Sequence, residues 1–322
     1  MACGIRRHTP SPGSGTRICI SLRCKGRSHE GTAERYESAF RLKILPRLGD
    51  LPIGEIREPT VRRWHRAVLD DGNGWPSVAK AYRLLRAILN TAVEDGLIRR
   101  NPCRIKGAGD DRSPERQVLT VAEVHRVVDS MQERYRLLVL LATFTSLRLG
   151  ELAALRRQDL DLDDGWVRVV HGQVELSTGQ LIIKGPKSEA GRRRVGIPSE
   201  LLPALRWHIS KFAEPGPSGR VFVGPYGGYL RRQNFRRIWV RALSKADVAP
   251  VHFHDLRHTG NTLAASSGAN LRELMERMGH ASSRVALIYL HAANERDRAI
   301  ADSMNVHLAG ALRLPSDRAE DA

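Results

Sequence analysis

Apolar residues recur every three or four positions through most of this chain, and the places where that rhythm fails divide it. In TAERYESAFRLKILPRLG, Tyr36, Phe40, Ile44 and Leu45 share one recurring face, which predicts a helix from Gly31 that Pro46 and Gly49 stop. LPIGEI then reads as a turn or extended link. Pro59, tolerated in a first helical turn, opens a second helix through Leu69, and DDGNGWP breaks it. Ala81, Leu84, Leu85, Ile88, Leu89 and Ala92 carry a third helix, from Ser77 to Asp95, closed by Gly96.

The helical rhythm resumes after residues 106–117, KGAGDDRSPERQ, which lack apolar periodicity and read as a linker. Thr120 with Glu123 has the form of a capping box opening a helix to about Met131, and Arg136 to Thr145 reads as a buried helix. Between Asp161 and Pro198 the period shifts toward two, in WVRVV, GQLII and RRVGIP, with turns at Asp164-Gly165 and Ser177-Thr178-Gly179; one small antiparallel sheet is expected. Helices return after Leu201, break at EPGPSG and continue in RRQNFRRIWVRALSKA, from about Asp255 to Ser267, and from Asn294 to Ala309. The expected fold is therefore mainly α with a small antiparallel β-sheet. Residues 1–28 form a basic, disordered tail, 29–105 a helical unit, 106–117 the linker and 118–322 a larger α+β part.

Charge changes the picture. Fifty-two Lys plus Arg against thirty-five Asp plus Glu leave +17, with a sequence pI near 10.5, and most of the cations are arginines, whose planar fork matches phosphate oxygens. Nucleic acid is the partner this balance favours. Arg62, Arg63, Lys80 and Arg83 on the first helices, and Arg231, Arg232 and Arg236 beside Phe235 and Trp239, are candidate contacts to a DNA backbone. Cys3, Cys19, Cys24 and Cys103 have no zinc spacing, Met1 to Glu30 lacks the apolar stretch of a secretory signal, and the run Leu137 to Ala142 is too short to span a bilayer. A reduced cytoplasmic protein without membrane contact is expected.

The densest chemistry lies between His252 and His291, where His254, Arg257, His258, His280 and Tyr289 fall together. His254 and Arg257, three apart on the expected helix, share a face of its first turn, where unpaired N–H groups favour an anion. If the anion is a phosphodiester, its attack builds negative charge that fixed cations such as Arg148 and Arg257 can neutralise. No acidic cluster with metal-ligand spacing appears, so no metal or other cofactor is expected. Tyr289 is the candidate nucleophile, activated by nearby cations or by His254 as base. Lys187, in the loop PKSEAG, can protonate the departing oxygen; His280 can donate to a phosphate oxygen, and Glu151 can orient a neighbour.

Arg148 in TSLRLGEL, Lys187 in PKS, His254 and Arg257 in HDLRHT, His280 in MGH and Tyr289 in ALIYLHA resemble, in order and spacing, the active-site boxes of tyrosine recombinases of the phage-integrase family. The resemblance spans about residues 31 to 300. It implies a SAM-like core-binding domain before a catalytic domain, and a site-specific recombinase that integrates or excises a mobile element. It further implies a 3′-phosphotyrosyl link through Tyr289, with Glu151 in support, a homotetramer on double-stranded DNA attachment sites, and a bacterial, nucleoid-associated location. A directionality factor or DNA-bending protein is a partner the resemblance allows. Ser146 stands where the family most often has glycine, and the some thirty residues ahead of the helical unit are expected to be too few for a whole arm-binding domain of the kind many phage integrases carry. Two alternatives stand beside it: a DNA-binding protein without catalysis, and a zinc hydrolase using His254 and His258, although Asp255 replaces the glutamate of H-E-x-x-H.

Overall fold

A computed structural model describes residues 30–279 except 112, 114, 115 and 187; the expected tail over residues 1–28 and the expected helix from Asn294 to Ala309 lie outside the described residues. The chain divides into two units between residues 115 and 116. In the first, α1 (Glu30–Ala39) passes through a π-helical turn (Phe40–Ile44) into α2 (Leu45–Leu48). The helix thus runs past Pro46, where the sequence predicts its end. The wider turn resets the hydrogen-bond ladder, so Pro46 sits in the first turn of a new segment, where a residue without an N–H is tolerated. Phe40, Ile44 and Leu48 all remain buried.

α3 (Glu58–Asp70) starts with Pro59 in its first turn and buries Val61, Trp64 and Val68, and α4 (Trp75–Glu94) buries Leu84, Leu85, Ile88 and Leu89 against them. The Trp64 indole N–H donates to the Lys43 carbonyl at 2.7 Å, tying α3 to the π-helical turn. Residues 101–109 then fold back on this unit: the Tyr82 hydroxyl accepts the Ile105 N–H at 2.9 Å, and Cys103 and Ala108 join the core. Burial pushes the Cys103 thiol up to about 12, so it packs as a protonated apolar group.

In the second unit, α5 (Val121–Ser130) opens with both arms of the Thr120–Glu123 capping box formed. α6 (Glu133–Phe144) is buried on most sides through Tyr135, Leu137, Leu138, Val139, Leu141 and Ala142, and α7 (Leu149–Ala154) follows after a tight turn. The strands are β1 (Leu160–Asp161), β2 (Trp166–Val169), β3 (Gly172–Glu175), β4 (Leu181–Lys184) and β5 (Arg193–Gly196). They make two antiparallel sheets, not one: β1-β2-β5, with Val167 opposite Val195, and a separate β3-β4 hairpin that takes the GQLII segment. Side-chain anchors explain the separation. The Gln173 amide donates to the Leu230 carbonyl at 2.8 Å, and the Glu175 carboxylate accepts the Arg232 N–H at 2.9 Å, which draws the hairpin toward the helix that begins at Arg232. The remaining helices are α8 (Leu202–Phe212), α9 (Arg232–Lys245), α10 (Asp255–Ser266) and α11 (Leu271–Met278). Among the described residues no helix is long and apolar enough to cross a membrane.

Candidate active site

α6 and α10 approach so closely that a Cβ built on Gly260 would stand 1.8 Å from the Thr143 carbonyl oxygen. That contact carries Arg257, one turn earlier on α10, beneath the turn joining α6 to α7. Arg257 is only 3 % exposed, and its guanidinium donates to the Ser146 and Met278 carbonyls. His254 is the N-cap residue of α10, three positions before it.

Arg148 is the N-cap residue of α7. Its guanidinium and its backbone N–H each donate to Glu151, at 2.8 Å. Arg193 of β5 donates to both oxygens of the same carboxylate, at 3.2 and 2.9 Å. Burial alone would push the Glu151 carboxyl up; the hydrogen bonds and charge of Arg193, then Arg148, outweigh it and hold it at about 2. Arg277 of α11 donates to the Phe144 carbonyl, and burial, with Arg193 adding to it, lowers its pKa.

His254 is lowered to about 4, by burial first, then by the positive charges of Arg257, His258 and Arg148, against an opposing pull from Asp255. Both arginines therefore act on one imidazole, which joins the motif around Arg148 to the motif around Arg257. The ring is neutral at pH 7 and available as a base or a hydrogen-bond partner. Because its folded pKa lies below the ordinary 6.5, the unfolded chain takes up this proton first as pH falls from 6.5 toward 4, and folding stability declines across that window. An acid titration of the melting temperature should show a smaller decline in His254→Gln than in the parent.

The His258 ring lies edge-on to His254 with centroids 5.8 Å apart, and burial lowers its pKa as well. Between them in sequence, the Asp255 carboxylate accepts the His252 N–H at 2.8 Å and the Arg116 guanidinium at 3.2 Å. Among the described residues no group of three His, Cys, Asp or Glu forms a metal cradle.

Ser146 has φ of +55°, in the left-handed region, and its buried hydroxyl oxygen has no hydrogen-bond partner. The turn at this position has the backbone that glycine adopts without strain. Ser146→Gly should raise stability by about 1 kcal/mol, roughly 2–4 °C in Tm for a unit of this size, read by thermal unfolding.

Of the residues singled out from sequence, Arg148, Glu151, His254 and Arg257 gather here; Lys187, His280 and Tyr289 lie outside the described residues. Arg193, Arg277 and Arg116 join the cluster without having been singled out. Arg62 and Arg63 on α3, Lys80 and Arg83 on α4, and Arg232 and Arg236 on α9 are exposed. Arg231 instead pairs with Glu175 at 3.2 Å and donates to the Gly179 carbonyl, bracing the hairpin.

The profile described as the phage integrase family matches residues 117–296, and one described as the phage integrase N-terminal SAM-like domain matches residues 22–69. The chain is 38 % identical over 274 residues to a prophage phiRv2 integrase of Mycobacterium tuberculosis, covering 84 % of this chain and 72 % of that one. It is 36 % identical over 289 residues to the integrase of Mycobacterium phage FRAT1, covering 87 % and 84 %. Its fold is similar to that of the Tn1549 transposon integrase solved with a circular-intermediate DNA, with a TM-score of 0.78 at 24 % identity over 88 % of this chain and 96 % of that one. The chain belongs to the phage integrase family. It is a site-specific recombinase, an enzyme of DNA strand transfer.

Proposed function

We propose that Tyr289 attacks a DNA phosphate held by Arg148, Lys187, His254, Arg257 and His280, with Glu151 orienting Arg148. The phenol oxygen bonds to phosphorus and the 5′-oxygen leaves, taking a proton from Lys187, so a 3′-phosphotyrosyl link and a free 5′-hydroxyl form. The neutral imidazole of His254 receives the phenol proton. A 5′-hydroxyl of the partner duplex reverses the step, and because the phosphotyrosyl bond conserves the energy of the phosphodiester, no ATP is needed.

The observation that carries this reading is an excess of fixed positive charge. Arg148, Arg193, Arg257 and Arg277 are tied together through the turn between α6 and α7 and the end of α11, and Glu151 is the carboxylate hydrogen-bonded within the group. Mutual repulsion among these cations is relieved by an anion, and most of all by one whose charge grows in the transition state.

In this reading residues 29–105 grip the core of an attachment site, with Arg62, Arg63, Lys80 and Arg83 on its phosphates. Residues 106–117 link them to a catalytic part, 118–322, in which Arg232 and Arg236 also lie on DNA and Arg231 acts as a brace. Lambda integrase, similar in fold at a TM-score of 0.62, has been solved as a tetramer bound to a Holliday junction, and a homotetramer on DNA is the assembly proposed here. The site of action is the bacterial nucleoid.

The test is a duplex carrying the direct repeat that flanks the integrated element, nicked beside the cleavage point so that the released fragment diffuses away. The parent protein should accumulate an SDS-resistant protein–DNA adduct, in EDTA as well as without it, and Tyr289→Phe none. An intact complex without adduct would point to binding alone. Loss of adduct in EDTA with recovery on zinc would favour the histidine pair as a metal site.

A further inference from the structure

Resting on that reading, we infer that Arg193 is a positioning residue for strand cleavage, setting Arg148 through Glu151 and tying it to the end of α11. Strand alternation turns Arg193 inward beside Val195, while Arg194 faces out over the Trp166 ring. The side chain is 5 % exposed. Its terminal nitrogens hold both oxygens of Glu151, and Nη1 also reaches the Gly191 carbonyl at 3.3 Å. Its Nε donates to the Arg277 carbonyl at 2.8 Å.

The last bond matters for geometry. The final carbonyls of a helix have no intrahelical partner and form the negative end of its dipole. On α11 two successive ones are taken by arginines: Arg277 O by Arg193, and Met278 O by Arg257. Gly279 then turns left-handed, φ +61°, with no room for a side chain: a Cβ there would lie 2.9 Å from the Ala190 carbonyl and 3.1 Å from Arg193 Nη1. His280 is the next residue in the chain. One guanidinium thus fixes three segments: the α7 start bearing Arg148, the turn Glu189–Gly191 that follows Lys187 in sequence, and the exit of α11.

A positioning role predicts a defect tied to the charge on the phosphate. In single-turnover cleavage of the nicked duplex at saturating protein, Arg193→Gln and Arg193→Lys should form the adduct on the order of 10- to 100-fold more slowly than the parent, with DNA affinity within about threefold. The lysine variant, which keeps the charge but not the fork, covers the case in which the glutamine variant fails to fold. On a duplex with a methylphosphonate at the cleavage point, one non-bridging oxygen is replaced by a neutral methyl and less charge needs stabilising. There the deficit should shrink at least fivefold. An equal deficit on both duplexes would make Arg193 merely structural, and undiminished cleavage would remove any role; either overturns the inference while a parent adduct leaves the function standing. A parent protein forming no adduct would overturn both.

Discussion

Arg257→Lys should slow covalent adduct formation by on the order of a hundred- to a thousandfold while DNA affinity changes little. The exchange keeps a cation at the position, so charge alone would predict a mild effect. Arg257, however, bridges two carbonyls from different elements, Ser146 in the turn before α7 and Met278 at the end of α11. A guanidinium does this with donors fixed in one plane; a lysine is a point charge on a flexible stem and serves one carbonyl at most in the same pose. The abandoned carbonyl, buried beside a 3 % exposed residue, would be left unsatisfied at about 1–3 kcal/mol. The fall should therefore appear in the rate at saturating protein, accompanied by a lower melting temperature. A rate within about threefold of the parent would mean that Arg257 does not face the reacting phosphate.

Much of this arrangement is legible in the sequence because it is local. The three-and-four rhythm marks α3 and α4, Thr120 with Glu123 marks the start of α5, and the spacing of His254 and Arg257 puts both at the first turn of α10. What the rhythm does not reveal depends on contacts distant in sequence. Pro46 reads as a stop because a π-helical turn upstream leaves no mark in the apolar period. GQLII reads as part of a single sheet because strand periodicity says which face is inward and not which neighbour pairs, and the anchors that pull the hairpin away come from Leu230 and Arg232. Arg193 carried a faint signal: in the run Arg192-Arg193-Arg194-Val195, alternation turns the middle arginine to the same side as the buried valine. A cation facing inward calls for a carboxylate, and Glu151, 42 residues away in sequence, supplies it. Arg277 gave no such signal, since the basic last turn of an ordinary helix looks the same.

Gly260→Ala should be the most damaging single methyl in the second unit. In a helix interior the exchange is intrinsically favourable by about 1 kcal/mol, so propensity predicts stabilisation. Space predicts the reverse. The new Cβ would stand 1.8 Å from the Thr143 carbonyl oxygen, a backbone atom that no rotamer change can move aside, and 2.8 Å from the Ser146 hydroxyl oxygen. Reaching an ordinary carbon–oxygen separation of about 3.3 Å requires α10 to retreat from α6 by on the order of 1.5 Å. The net loss of stability should be about 1–3 kcal/mol, measured by denaturant unfolding. Since Arg257 and His254 ride on the same helix, the retreat would also draw them from Arg148, and a displacement of about 1 Å is enough to slow cleavage roughly a hundredfold. Combining the change with Ser146→Gly clears the hydroxyl but not the Thr143 carbonyl, so the double variant should stay as slow as Gly260→Ala. Recovery of cleavage in the double variant would show that the Ser146 side chain, and not the α6 backbone, sets how close the two helices come.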